Sequence, residues 1–188
     1  AYTYSHLYGI PTTGLRFFTV YGPWGRPDMS PILFAEAIST GKPIKVFNNG
    51  EMERDFTYID DIIEGIVRLI LLHPDSTKSY KVCNIEEREE FLSNQDKTKT
   101  FHLHQKTNRD YVIYNIGNGS PVKLLSFIKL IEQAIGTKAQ KEMMPMQPGD
   151  VKKTWANTRK LESIIGYKRK TPIESGVKKF TEWFKSIK

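Results

Sequence analysis

Residues 15–21 run Leu-Arg-Phe-Phe-Thr-Val-Tyr, and the next eight, Gly22-Pro23-Trp24-Gly25-Arg26-Pro27-Asp28-Met29, hold two glycines and two prolines. A stretch so rich in aromatic and β-branched side chains fits a buried strand. The glycines and prolines then stop it, so the strand must empty into an irregular loop. Thr19, Tyr21 and Arg26 at the end of a buried strand have the look of part of an active site.

The rest of the chain supplies layers to cover such a strand. Tyr2 to Tyr8 is expected to be the end of a helix, closed by Gly9 and Pro11. Ser30-Pro31 opens an amphipathic helix through about Thr40, with Ile32, Phe34, Ala35 and Ile38 inward and Gly41 ending it. Ile44 to Phe47 is a short strand, Asn48-Asn49-Gly50 a turn, and Arg54 to Ile59 extended. Asp60 or Asp61 then caps an apolar helix to about Leu72. Order resumes with a strand at Asp110 to Ile116 and a helix from Pro121 to about Ile135, capped by Ser120, with Leu124, Leu125, Phe127, Ile128, Ile131 and Ile135 on its buried stripe. Lys138 to Met144 is a strand and Thr158 to Ile165 a helix, with Asn157 able to cap it. Pro172 to Ile187 is a terminal helix that turns Val177, Phe180, Trp183 and Phe184 to the core. The pattern is mixed α/β, and the Leu15 and Tyr111 strands are expected in one parallel sheet.

Between them lies a segment different in kind. Residues 74–110 are polar, charged and weakly periodic, and are expected to form a long, partly mobile surface insertion, because such composition buries too little apolar area to offset ordering entropy. Five sections follow: 1–29, 30–73, the insertion 74–110, 111–136 and 137–188.

Charge and cysteine usage narrow the function classes. The net charge of +7 comes mostly from lysines spread over 78–106 and 152–188, without the arginine-aromatic clustering of a nucleic-acid face, so no nucleic-acid partner is expected. The longest apolar stretch, Ile62 to Leu72, contains Glu64 and Arg68 and falls well short of the roughly 18 residues of a membrane span. Cys83 is the only cysteine and lacks a paired histidine, which fits an inert thiol in a reducing, cytoplasmic setting. His102 and His104 share one face of an extended segment but lack a third ligand, so no metal site is expected.

The run from Leu15 to Met29 resembles the segment downstream of the catalytic Tyr-x-x-x-Lys helix in extended short-chain dehydrogenases/reductases, the NAD-dependent epimerase/dehydratase family. Within that family it is most similar to the UDP-glucuronate 4-epimerases of surface-polysaccharide synthesis. The resemblance implies the C-terminal portion of such an enzyme, with the last strands and helices of a Rossmann-type parallel sheet. It also implies oxidation of the sugar at C4, a 4-keto intermediate that turns in its site, and return of hydride to the other face, with NAD as the carrier. A UDP-sugar and a homodimeric complete enzyme are the implied partners.

Three blocks carry the resemblance. In the first, Phe17 and Phe18 match positions lining the nicotinamide, Thr19 one that hydrogen-bonds substrate, and Arg26 an arginine facing the sugar carboxylate. In the second, Gly41 to Asp61, the resemblance implies uracil recognition by backbone near Val46 and Phe47 and a diphosphate near Arg54, within the signature Arg54-Asp55-Phe56-Thr57-Tyr58-Ile59-Asp60-Asp61. In the third, Pro145 to Val151, Asp150 matches an aspartate that hydrogen-bonds the ribose, and Gln147 stands where some relatives place a phosphate-binding arginine. Asp55 and Asp61 are not expected to be catalytic, and the adjacent Asp60-Asp61 pair is better explained by helix-start chemistry than by metal binding or acid/base work.

The family's catalytic pair and cofactor turn have no match here. None of the nine tyrosines has lysine four positions on, and Gly22-x-x-Gly25 and Gly117-x-Gly119 each lack the third glycine. The catalytic residues are therefore expected in a preceding half, with this chain alone binding substrate but neither holding NAD nor turning over. A UDP-glucuronate decarboxylase, or another nucleotide-sugar epimerase/dehydratase, is the alternative within the family. A non-catalytic nucleotide-sugar-binding chain is the alternative outside it.

Overall fold

The computed structural model describes residues 1–71, 111–166 and 171–187. The expected insertion falls in the undescribed span, as do His73, Cys83, His102 and His104. Strand β1 (Thr12–Phe17) lies parallel to β6 (Tyr111–Ile116), in register from Thr12 opposite Tyr111 to Phe17 opposite Ile116. This is the pairing expected of two strands in one parallel sheet of a Rossmann-type fold.

The strand expected over 15–21 is two strands. It breaks at Phe18, and β2 (Thr19–Tyr21) pairs in parallel with β5 (Phe56–Tyr58) instead of following β1 along β6. The switch is fixed by the Thr19 N–H, which donates to the Asp55 carbonyl at 3.1 Å. Two further pairs lie among the described residues. Strand β3 (Pro43–Val46) runs parallel to β8 (Gln140–Met143), and β4 (Glu53–Arg54) runs antiparallel to β7 (Val122–Lys123).

Among the described residues, six α-helices cover these strands: α1 (Tyr2–Tyr8), α2 (Ser30–Thr40), α3 (Ile59–Leu71), α4 (Leu124–Ile135), α5 (Arg159–Ile165) and α6 (Ile173–Ser186). Helix α2 follows expectation, with Pro31 in its first turn and Gly41 left-handed at φ 68° past its end. Helix α4 starts later than Pro121, and Ser120 does not cap it. Val122 and Lys123 are drawn into the β7 ladder, and the Leu124 N–H finds the Met52 carbonyl at 2.8 Å, so tertiary pairing satisfies backbone that a local cap would have served. Asp61 likewise looks outward from α3. Buried in its first turn, it accepts both the N–H and the hydroxyl of Thr171, at 3.2 and 3.0 Å, which ties α3 to the approach of α6.

Tyr21 stands at the centre of the main core, edge-on to Phe56, Tyr58, Phe127 and Phe180, while Phe56 and Phe127 stack at 3.8 Å. Each such ring contributes about 1.5–3 kcal/mol by leaving water. The Tyr21 hydroxyl donates to the Ile173 carbonyl, and burial, with Asp61 nearby, pushes its pKa well above the ordinary tyrosine value. Gly176 of α6 is needed here, because a Cβ would lie 2.1 Å from the Tyr21 hydroxyl. A second cluster, Ile62, Tyr114, Ile116, Leu161 and Ile165, joins α3, β6 and α5.

Candidate functional site

A cavity of about 490 Å³ opens where α2, β3 and the β8–α5 connection meet. Its apolar walls come from Leu33, Phe34 and Ala37 of α2, from Pro43, Ile44 and Phe47, and from Met52 and Leu124. Ser30, Lys45, Arg54 and Asp150 supply the polar groups. Apolar walls around a few polar groups suit a flat heterocycle joined to a charged tail.

The charged groups are held in a set geometry. Arg54 Nη2 donates to Asp150 Oδ1 at 2.7 Å, and both side chains are largely shielded, with 17% and 30% of their surface exposed. Arg54 Nη1 donates to the carbonyls of Glu53 and Lys152 at 3.0 and 3.3 Å. Asp150 sits in a turn closed by its N–H on the Gln147 carbonyl at 3.2 Å, and its Oδ1 also accepts the Val151 N–H at 2.8 Å. Strand β4 fastens the same loop from beneath. The Glu53 N–H donates to the Lys152 carbonyl at 2.8 Å, the Thr154 N–H to the Glu53 carbonyl at 3.2 Å, and Lys153 pairs with the Glu53 carboxylate at 2.7 Å.

Below this wall lies Asp55, a carboxylate that the sequence marks only as non-catalytic. Asp55 is fully buried. Its Oδ1 accepts the Asn118 N–H at 3.0 Å, and its Oδ2 accepts the N–H groups of Gly119 and Ala156 at 2.9 and 2.6 Å. The Asn118 N–H is shared with Thr57 Oγ1 at 2.8 Å. Gly117 is tightly enclosed, since a Cβ there would stand 2.8 Å from the Ala156 Cβ. The Gly117-Asn118-Gly119 turn is thus an anion cradle filled by the protein's own aspartate, which joins β2, β5, the β6–α4 turn and the residues after Asp150. Gly-x-Gly at a strand end was the sequence signal for an anion, but nothing local named Asp55 as its occupant.

The expected site residues divide into groups. Phe47, Arg54 and Asp150 line the cavity together. Val46 lies behind its wall, fully buried, with its carbonyl accepting the Met144 N–H at 2.9 Å. Gln147 is exposed on the loop and contributes its carbonyl to the Asp150 turn. Thr19 and Phe18 are half-buried beside Asp55 and Gly117, outside the cavity lining, and Phe17, at the end of β1, is 53% exposed. Lys45, Met52, Leu124, Ser30 and Leu33 line the cavity without having been singled out. Alternation along β3, with Ile44 and Val46 inward, was the signal that could have put Lys45 on the other face.

Arg26 stands on the loop before α2. Its Nε and Nη2 hold Asp28 at 3.0 and 2.5 Å in a two-pronged pair, with 74% and 63% of the two side chains exposed. The hydrogen bond from Arg26 holds the Asp28 carboxyl below the usual aspartate range. Trp24, left-handed at φ 59°, anchors the same loop against Trp183 of α6, 5.6 Å between rings. Among the described residues no group of three His, Cys, Asp or Glu side chains is arranged to hold a metal, and no helix is long and apolar enough to cross a membrane.

Residues 1–85 match the NAD dependent epimerase/dehydratase family. Over 184 residues the chain is 45% identical to Protein CapI of Staphylococcus aureus, covering 98% of this chain and 50% of that protein. It is 42% identical to a probable UDP-glucuronate 4-epimerase of Rhizobium meliloti (strain 1021), covering 98% and 49%. Its fold superimposes with a TM-score of 0.74 on a UDP-glucuronic acid 4-epimerase from Bacillus cereus crystallised with UDP-glucuronic acid and NAD, at 27% identity, over 99% of this chain and 49% of that one. The chain therefore spans about half the length of the curated relatives it matches.

Proposed function

We propose that this chain, with the NAD dependent epimerase/dehydratase family's pattern over residues 1–85, carries the nucleotide-sugar-binding half of an NAD-dependent UDP-glucuronate 4-epimerase. The observation that carries the proposal is the cavity walled by Phe47, Met52 and Leu124 and bordered by the Arg54–Asp150 pair. Its apolar part suits uracil, and its polar wall suits a ribose diphosphate. Asp150 is the acceptor for ribose hydroxyls, Arg54 the cation beside it, and Thr19 the hydrogen-bonding partner of the sugar near the end of β1.

Arg26 gives the substrate its uronate character. A planar guanidinium gripping a carboxylate through two parallel N–H groups is the geometry Arg26 already makes with Asp28. The grip matters because a 4-keto uronate is a β-keto acid and loses carbon dioxide readily, so a firmly held carboxylate protects it. NAD, when bound, supplies oxidation and reduction at C4. Of the groups present, Phe17 and Phe18 fit its nicotinamide end, Phe17 because it offers an exposed ring at a strand terminus. The N–H groups of Asn118 and Gly119 do not fit a pyrophosphate, since Asp55 occupies them. With no Tyr-x-x-x-Lys pair among these residues, the 188-residue chain by itself binds and does not turn over.

This chain joined to a half that carries the family's Tyr-x-x-x-Lys pair and cofactor turn, and supplied with UDP-glucuronate and NAD, is expected to form UDP-galacturonate. Release of carbon dioxide with a UDP-pentose would favour the decarboxylase instead, and no change in either nucleotide sugar would defeat the enzyme assignment.

A further inference from the structure

Arg26 is paired before any ligand arrives. Its Nε and Nη2 donate to the two carboxylate oxygens of Asp28 at 3.0 and 2.5 Å, the same two-pronged contact that a uronate would make. The backbone builds this pair. Residues 26–29 form a turn with Pro27 in second place, closed by the Met29 N–H on the Arg26 carbonyl at 3.1 Å, so the two side chains leave one short, stiffened arc. Both ends of the arc are fixed. Trp24 rests against Trp183, and the Met29 carbonyl accepts the Ile32 and Leu33 N–H groups of α2 at 3.1 Å each. Ser30 and Leu33, in the helical turn that follows directly, line the cavity.

Asp28 fixes no other segment among the described residues, and 63% of its side chain is exposed. A pair so open to water is weak, because solvent and salt compete for both partners. It is nevertheless intramolecular. A carboxylate two residues away reaches the guanidinium at an effective concentration in about the millimolar range or above, so a free anion in dilute solution gains little against it. A carboxylate carried on a nucleotide already held in the cavity arrives with a comparable advantage.

We propose that Asp28 is an internal competitor of the sugar carboxylate: it occupies the Arg26 guanidinium until a UDP-uronate displaces it, and so sets how tightly uronates are held. The proposal rests on the reading of Arg26 as the partner of the sugar carboxylate. It gives Arg26 a selectivity that a free guanidinium would lack, since only a carboxylate anchored through its nucleotide can take the place of Asp28. UDP-glucose brings no carboxylate and leaves the pair intact.

The test is calorimetric titration of wild type, Asp28→Asn, Arg26→Ala and the double variant with UDP-glucuronate, UDP-glucose and UDP. Asp28→Asn keeps the size of an exposed side chain in a turn that accepts asparagine readily. It is expected to tighten UDP-glucuronate about two- to five-fold, the range an exposed ion pair supports, while UDP-glucose and UDP stay unchanged. In the Arg26→Ala background the same substitution should leave UDP-glucuronate unchanged, because no guanidinium remains to compete for.

Weaker binding of UDP-glucuronate by Asp28→Asn would make Asp28 a support for Arg26 and overturn the proposal, as would no change at all. A gain shared by UDP-glucose and UDP would mark a general effect of charge. A gain that persists in the Arg26→Ala background would mark direct repulsion between two carboxylates. Either of these also overturns it, with the preference of wild type for UDP-glucuronate over UDP-glucose still in place. Absence of that preference, together with no effect of Arg26→Ala, would refute the reading of Arg26 itself, and the proposal with it.

Discussion

Replacing Asp55 with asparagine removes one charge and turns one acceptor into a donor, with almost no change in shape. In the native protein the carboxylate receives three backbone N–H groups while fully buried, and it holds the β6–α4 turn and the Ala156 segment against β5. Asparagine has one carbonyl oxygen, best placed where Oδ2 now serves Gly119 and Ala156. Those two hydrogen bonds survive without charge assistance, a loss of about 1 kcal/mol each. The amide nitrogen then faces the Asn118 N–H, donor against donor in a buried site, which adds about 1–3 kcal/mol. The sum is about 3–5 kcal/mol, or roughly 6–20 °C in Tm for a chain of this size. Urea unfolding followed by tryptophan fluorescence measures it directly, with wild type and Asp55→Asn compared at equal m-value. A loss below about 1 kcal/mol would refute the claim that the carboxylate is the acceptor holding these three segments.

Two further outcomes follow from charged groups elsewhere. Glu132, buried near the end of α4, loses solvation, which by itself raises its pKa. Hydrogen bonds from Lys141 and the Ala139 N–H, with the charges of Lys141 and Lys138, outweigh this and hold it below the ordinary 4.5. A depressed folded-state value means that its stabilisation is present above the unfolded value and is lost as pH falls through the folded one. Glu132→Gln should therefore lower Tm at pH 7 and flatten the acid limb below about pH 4.5, measured by thermal melts across pH. Arg26→Ala should remove most of the preference for UDP-glucuronate over UDP-glucose, about ten-fold in relative affinity, while leaving UDP binding unchanged. Equal preference in variant and wild type would separate Arg26 from the sugar carboxylate.

Much of this architecture was legible because its signals are local. Pro31 and Gly41 mark the ends of α2, the apolar stripe of α4 names Phe127, Ile128 and Ile131, and Asn157 does receive the Arg159 N–H before α5. What escaped was decided by partners distant in sequence. The break at Phe18 depends on Asp55, the late start of α4 depends on β4 and Met52, and Asp61 accepts from Thr171, 110 residues away. The site divides along the same line. Phe47, Arg54 and Asp150 stand in recognisable blocks and meet at one cavity, whereas Lys45, Met52 and Leu124 have no chemistry that marks them until the chain folds around that space. The Arg54–Asp150 contact joins residues 96 apart, a distance no local pattern spans.

The assignment of a uronate-specific nucleotide-sugar site to these residues is tested most directly by calorimetric titration of the chain with UDP-glucuronate, UDP-glucose and NAD in parallel. The account predicts saturable binding of UDP-glucuronate, weaker binding of UDP-glucose, and none of NAD. Equal affinity for the two sugars, or binding of NAD with neither sugar, would contradict it.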